Sequence, residues 1–130
     1  MKPIQIAPGE AKNIILRSQL LEGRRQGKTK SATFEIINQL GYLQIDTISV
    51  VERAHHHILW SRQPDYEPEW LIELQEQDRK LFEYWGHAAA YLPMTDYRFY
   101  RYKMKHFLNT NDNWFKNKLK LCENLIPLIL

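Results

Sequence analysis

Apolar and polar positions divide this chain into short blocks, most of them helical in period. Between Gly9 and Leu21, the residues Ala11, Ile14, Ile15 and Leu21 leave a ragged apolar stripe that predicts a first helix, with Gly23 as its stop. Arg24 to Lys30 reads as a basic turn without apolar anchors. Ser31 is placed to cap a second helix, with Phe34, Ile36, Ile37 and Leu40 on its buried side and Gly41 at its end. Beyond that glycine the period shortens. Tyr42 to Asp46 alternates as a strand does, sending Leu43 and Ile45 to one face and Gln44 and Asp46 to the other.

Ser49-Val50-Val51-Glu52 has the spacing of a capping box, in which serine and glutamate each satisfy the other's free backbone N–H. It predicts a third helix to about Arg62, with Val50, Val51, Ala54 and Ile58 inward and Arg53, His56, His57 and Trp60 mostly elsewhere. Pro64 ends it. Pro68 suits the first position of a fourth, acidic helix whose core face is Trp70, Leu71 and Leu74. Leu81–Trp85 and Ala88–Leu92 predict two strands around a bend at Gly86-His87, the second stopped by Pro93. Tyr97, Tyr100, Met104, Phe107 and Leu108 recur at the spacing of a fifth, amphipathic helix, and Asn109 to Asn113 is a polar linker.

The fold class expected from this order is mainly α with a small antiparallel β-sheet, an α+β domain close to a winged helix-turn-helix. It should occupy residues 1–93, followed by a helical extension over residues 94–130. The nearly all-apolar finish, Leu125 to Leu130, reads as a chain stopping partway into a further helix.

Composition changes this picture little, but charge does. The 44% of hydrophobic residues is enough for a core, and a single cysteine, Cys122, supports no disulfide framework and points to a reducing, cytoplasmic setting. Neither a secretory signal nor a membrane span is present in the pattern. Charges are segregated: residues 65–83 carry seven acids against Arg79 and Lys80, while the stretches before and after are basic. Two basic ends around an acidic middle fit a protein presenting one face to a phosphate backbone, and they equally fit solvated helices.

Candidate chemistry centres on Gln44 and Asp46. An amide and a carboxylate two residues apart on a rigid element can hold a water or a cationic substrate between them, although the same pattern serves as the polar face of a half-buried strand. His55-His56-His57 points in three directions on a helix and lacks the spacing of a helical zinc pair, so no metal is expected. Packing suits one or two of these histidines, and phosphate or base contact another.

The blocks Leu40 to Val51, Arg53-Ala54-His55-His56, Leu59-Trp60-Ser61-Arg62 and Tyr66-Glu67-Pro68, then Leu81 to Pro93, resemble the winged-helix DNA glycosylases of the YcaQ and AlkZ type. The resemblance spans roughly Ala11 to Phe107. It implies excision of N7-alkylated purines, including bases in interstrand crosslinks, by hydrolysis of the N-glycosidic bond without metal or cofactor. The family's glutamine–apolar–acid triplet matches Gln44-Ile45-Asp46, which makes Gln44 and Asp46 the expected catalytic pair. Double-stranded DNA is the implied partner, with no membrane and no obligate protein partner, and Arg24, Arg25, Lys28, Arg53, His56 and His87 are the expected DNA contacts. Family members are longer, built from several winged-helix units, so the chain reads as their N-terminal part. The alternative is a non-catalytic winged-helix DNA-binding protein or transcriptional regulator with the Ser49–Arg62 helix in the major groove. A degenerate copy without activity is a further option.

Overall fold

The computed structural model describes residues 3–23, 27–46, 51–109 and 120. The chain runs through α1 (Pro8–Ser18), α2 (Lys30–Leu40), β1 (Leu43–Gln44), α3 (Ala54–Trp60) and α4 (Pro68–Glu76). It continues through β2 (Leu81–Trp85), β3 (Ala89–Pro93), a single 3-10 turn and α5 (Tyr97–Asn109). This is the α+β class expected, and it divides into two compact units, Met1–Tyr97 and Arg98–Leu130. In the second unit, α5 carries Arg98 with its guanidinium over the Phe99 ring at 4.6 Å. No helix among the described residues is long and apolar enough to cross a membrane.

The three strands form one antiparallel sheet in the order β1-β3-β2. Its register pairs Leu43 with Tyr91, Gln44 with Ala90 and Phe82 with Leu92. β1 is shorter than the strand expected from Tyr42 to Asp46, but its edge continues one bond further, where the Ile45 N–H donates to the Ala89 carbonyl at 2.8 Å. Gly41 makes the tight start possible. At φ +83° it closes α2 in a left-handed conformation that a side chain would resist.

The core beneath this sheet gathers Ile36 and Ile37 from α2, Leu43 from β1, Leu59 from α3, Leu71 and Leu74 from α4 and Leu81 from β2. Two helix starts differ from expectation. Thr29, not Ser31, caps α2, accepting from the Ala32 N–H at 3.3 Å. α3 begins at Ala54 rather than near Ser49. Ser49 and Val50 lie outside the described residues, Val51 is 87% exposed, and the Glu52 carboxylate accepts from the Arg53 N–H at 2.8 Å. The buried positions of α3 are His55 and Leu59, Ile58 packs against the core as expected, and Val51 lies outside the helix.

α1 also ends differently. Its stop is Leu20, left-handed at φ +57°, and not Gly23. The Leu20 N–H reaches the Arg17 carbonyl and the Leu21 N–H reaches the Leu16 carbonyl, at 2.9 and 2.8 Å. This is the paired-bond helix ending that glycine usually supplies. No residue of α1 itself is buried; Leu20, just after it, packs against the core.

One polar side chain joins these parts. Gln63 is wholly buried, and its amide donates to the Gly27 carbonyl at 2.7 Å and to the Thr29 carbonyl at 3.0 Å. Its oxygen accepts from the Thr33 hydroxyl at 2.7 Å. The start of α2 is thereby bolted to the loop after α3. Replacing Gln63 with Met keeps the volume but strands the Gly27 carbonyl and the Thr33 hydroxyl, while the Thr29 carbonyl keeps the Ala32 and Thr33 N–H groups, an expected loss of about 2 kcal/mol in urea unfolding. Gln63→Glu should cost more, because a carboxylate cannot donate to either carbonyl; equal stabilities for the two variants would contradict this account.

Candidate functional site

The end of α2 and the bend into β1 form one wall of a cleft, and α3 forms the other. The cleft has a volume of about 440 Å³ and is lined by Leu40, Tyr42, Gln44 and Asp46 on one side and by Ala54, His55, Ile58 and Arg62 on the other, with Gln19 contributing from the end of α1. That volume lies in the range of small-ligand sites. Leu43 points into the core while Gln44 is exposed, and the alternation returns Asp46, half-buried, to the side of Gln44. The two residues the sequence singles out thus line one cavity.

His55 supports this wall from beneath. It is 3% exposed, and its Nδ1 accepts the backbone N–H of Asp46 at a long 3.4 Å. That bond requires the ring proton on Nε2. Burial holds the imidazole pKa down to about 4, and the nearby His56 and Arg53 push the same way, so His55 is neutral at physiological pH. Its ring packs edge-on to Tyr91 of β3 at 6.1 Å. The helix, the strand and the Asp46 backbone meet at this one ring.

Arg62 is another polar group of the cleft that sequence reasoning did not single out. It is 8% exposed, and burial lowers its pKa. Its Nε–H donates to the Gln19 carbonyl and its Nη1 to the Ile58 carbonyl, each at 2.8 Å, and Nη1 also reaches the Ser61 hydroxyl at 3.0 Å. Both His55 and Arg62 stood inside the sequence blocks that carry the family resemblance, which was the available signal.

The expected DNA contacts are scattered. Arg53 is exposed at the start of α3, and His87 is exposed in the bend between β2 and β3. Lys28 pairs with Asp65 at 3.2 Å. His56 is half-buried and turned inward, with its Nδ1 2.9 Å from the Tyr66 hydroxyl and its ring stacked on Tyr66 at 5.8 Å. Burial lowers its pKa, so this histidine packs α3 rather than lining the cleft. Arg24 and Arg25 lie outside the described residues, as do Cys122 and the apolar finish from Leu125 to Leu130.

A family model described as DNA glycosylase AlkZ-like matches residues 37–123, two thirds of the chain. The match includes every cleft residue except Gln19. No solved structure matches the chain.

The depressed pKa of His55 makes stability depend on pH with a definite sign. The unfolded chain binds the His55 proton near pH 6.5 and the folded chain only near pH 4, so His55 contributes full stability above pH 6.5. That contribution is lost as pH falls from 6.5 to 4, by on the order of 3 kcal/mol at most. Urea unfolding of the wild type and of His55→Gln, whose side chain does not titrate, should diverge most above pH 6.5 and converge toward pH 4. Parallel curves would show that His55 is not held neutral by its burial.

Proposed function

The chain belongs to the AlkZ-like DNA glycosylases, and we propose that its cleft hydrolyses the N-glycosidic bond of N7-alkylated purines in double-stranded DNA, crosslinked bases included. The observation that carries this reading is the shared placement of Gln44 and Asp46 in one solvent-open cleft. A purine alkylated at N7 already bears positive charge and leaves without being protonated. What remains is to stabilise an electron-poor sugar and to bring water to it. The Asp46 carboxylate serves as electrostatic partner and general base, and the Gln44 amide orients the water.

Neutral His55 fits this assignment. An imidazolium beneath Asp46 would compete with the sugar for its carboxylate, whereas a neutral ring only holds the Asp46 backbone in place. An open cleft also suits a base tied to the opposite strand, which cannot swing fully out of the duplex. A DNA substrate goes with a cytoplasmic location.

The regulator reading fares worse. We read the connectivity from α2 to β3 as a winged helix, in which α4 is the helix available to a DNA groove. Its exposed positions include Glu69 and Glu76, with Glu67 just before it, a face that repels phosphates. α3, the helix expected in the groove, is only seven residues long and buries His55 and Leu59.

Single-turnover excision of N7-methylguanine from a duplex oligonucleotide tests the assignment. Asp46→Asn keeps the shape and removes the charge, and should slow excision by about 10²–10³-fold while leaving duplex affinity equal or slightly tighter. Gln44→Ala should cost about one positioned hydrogen bond, ~1–3 kcal/mol of barrier. Full excision by Asp46→Asn would remove the chemistry from this strand.

A further inference from the structure

We infer that Arg62 is the seat for one backbone phosphate of the target nucleotide, placing the sugar against Asp46 and Gln44; this rests on the glycosylase reading above. The argument begins with donors. A guanidinium carries five N–H groups. Those on Nε and Nη1 are spent on the Gln19 and Ile58 carbonyls and the Ser61 hydroxyl. Nη2 engages none of the described residues, and no buried polar atom among them is left unpartnered, so Nη2 touches solvent. Arg62 lines the cleft, and Nη2 is the nitrogen its protein contacts leave over.

Charge balance points the same way. Arg17, Lys28 and Lys30 form ion pairs with described carboxylates, whereas Arg62 forms none among the described residues. A cation that is nine-tenths buried and has no counter-ion is costly unless an anion arrives to complete it. A second cation beside a sugar that is turning positive also raises the barrier, unless negative charge lies between them. The substrate brings that charge itself, as phosphates esterified at the 3′ and 5′ carbons of the reacting sugar. An arginine fixed by carbonyls on two sides and offering its outer nitrogen is built to receive such an oxygen.

The anchoring also explains the contribution of α1. Gln19, whose carbonyl holds Nε, lies just before the left-handed Leu20. The end of α1 thus sets the orientation of the guanidinium, although α1 lies before the stretch matched by the family model.

The test pairs the protein variant with a substrate variant. In a duplex bearing one N7-methylguanine, each phosphate flanking the lesion is replaced in turn by an uncharged methylphosphonate. Wild-type excision should fall at least about tenfold for one of these positions and little for the others, as loss of a charge-assisted contact requires. Arg62→Gln should lower the excision rate on the natural duplex to a similar degree, and it should show no further loss with the sensitive methylphosphonate. Duplex affinity of Arg62→Gln should have a salt slope shallower by about one. Multiplying losses, or a wild-type scan with no sensitive phosphate, would overturn the proposal, and the scan needs no folded variant. A chain that binds duplex with an Arg62-dependent salt slope but excises nothing would sink the glycosylase reading and keep the phosphate seat. Excision indifferent to every flanking phosphate does the reverse. A chain that neither binds nor excises counts against both.

Discussion

The pairing of two residues of β1 with β3 is the constraint on which the rest of the site depends. Leu43 opposite Tyr91 and Gln44 opposite Ala90 decide which side chains of this short segment enter the core. Because a strand alternates with a period of two, a slip of one residue would bury Gln44 and expose Leu43. It would also turn Asp46 away from the cleft. Two ladder positions are few for such a task, and the register is held from both ends. Gly41 ends α2 in a conformation that aims the chain at the sheet, and the Ile45 N–H adds one more bond to Ala89. His55 then receives the Asp46 N–H just beyond the sheet edge. Three different elements, α2, β3 and α3, thus hold the ends of β1.

Buried polar groups do the joining that hydrophobic contact alone leaves undecided. Leucines and isoleucines from α2, α3 and α4 would pack with comparable energy in several relative positions. Gln63 accepts only the arrangement that brings Gly27, Thr29 and Thr33 to it, and Arg62 only the one that brings Gln19. Both follow directly on α3, in the stretch that also carries the cleft's second wall. An unmade bond at either residue costs more than a lost apolar contact of the same size, so the stretch specifies geometry as well as stability.

Much of this was legible in the sequence where the signal is local. Pro68 marked the start of α4, the alternation of Leu81 to Trp85 marked β2, and Gly41 marked the end of α2. The Gln44–Asp46 alternation placed the two side chains on one face before any fold was known, and the cleft agrees. Failures came where a choice is settled by distant partners. Thr29 and Ser31 are both competent caps, and the carbonyl of Thr29 is the one that Gln63 binds. Leu20 adopts a left-handed turn without glycine because its side chain packs on the core and the preceding carbonyl holds Arg62. Arg62 and Gln63 read as surface residues by type; their burial depends on carbonyl acceptors more than thirty residues away.

The distribution of charge over the first unit separates fold from function. Under the winged-helix reading proposed above, the second helix of the pair, the natural reader of a groove, is α4. Its exposed glutamates oppose a duplex, and its inward side is committed: Glu73, with Asp78 just beyond the helix, holds Lys30 at 2.8 and 3.0 Å, raising the lysine pKa through those bonds. α4 contributes no residue to the cleft. The element that the connectivity offers for sequence reading has instead become a brace for the start of α2. An enzyme that recognises damage has no use for sequence-specific contacts in the groove, but it does need the residues of its site held in register. Replacing the reader by a brace is therefore consistent with a site whose selectivity comes from the charge of the lesion itself.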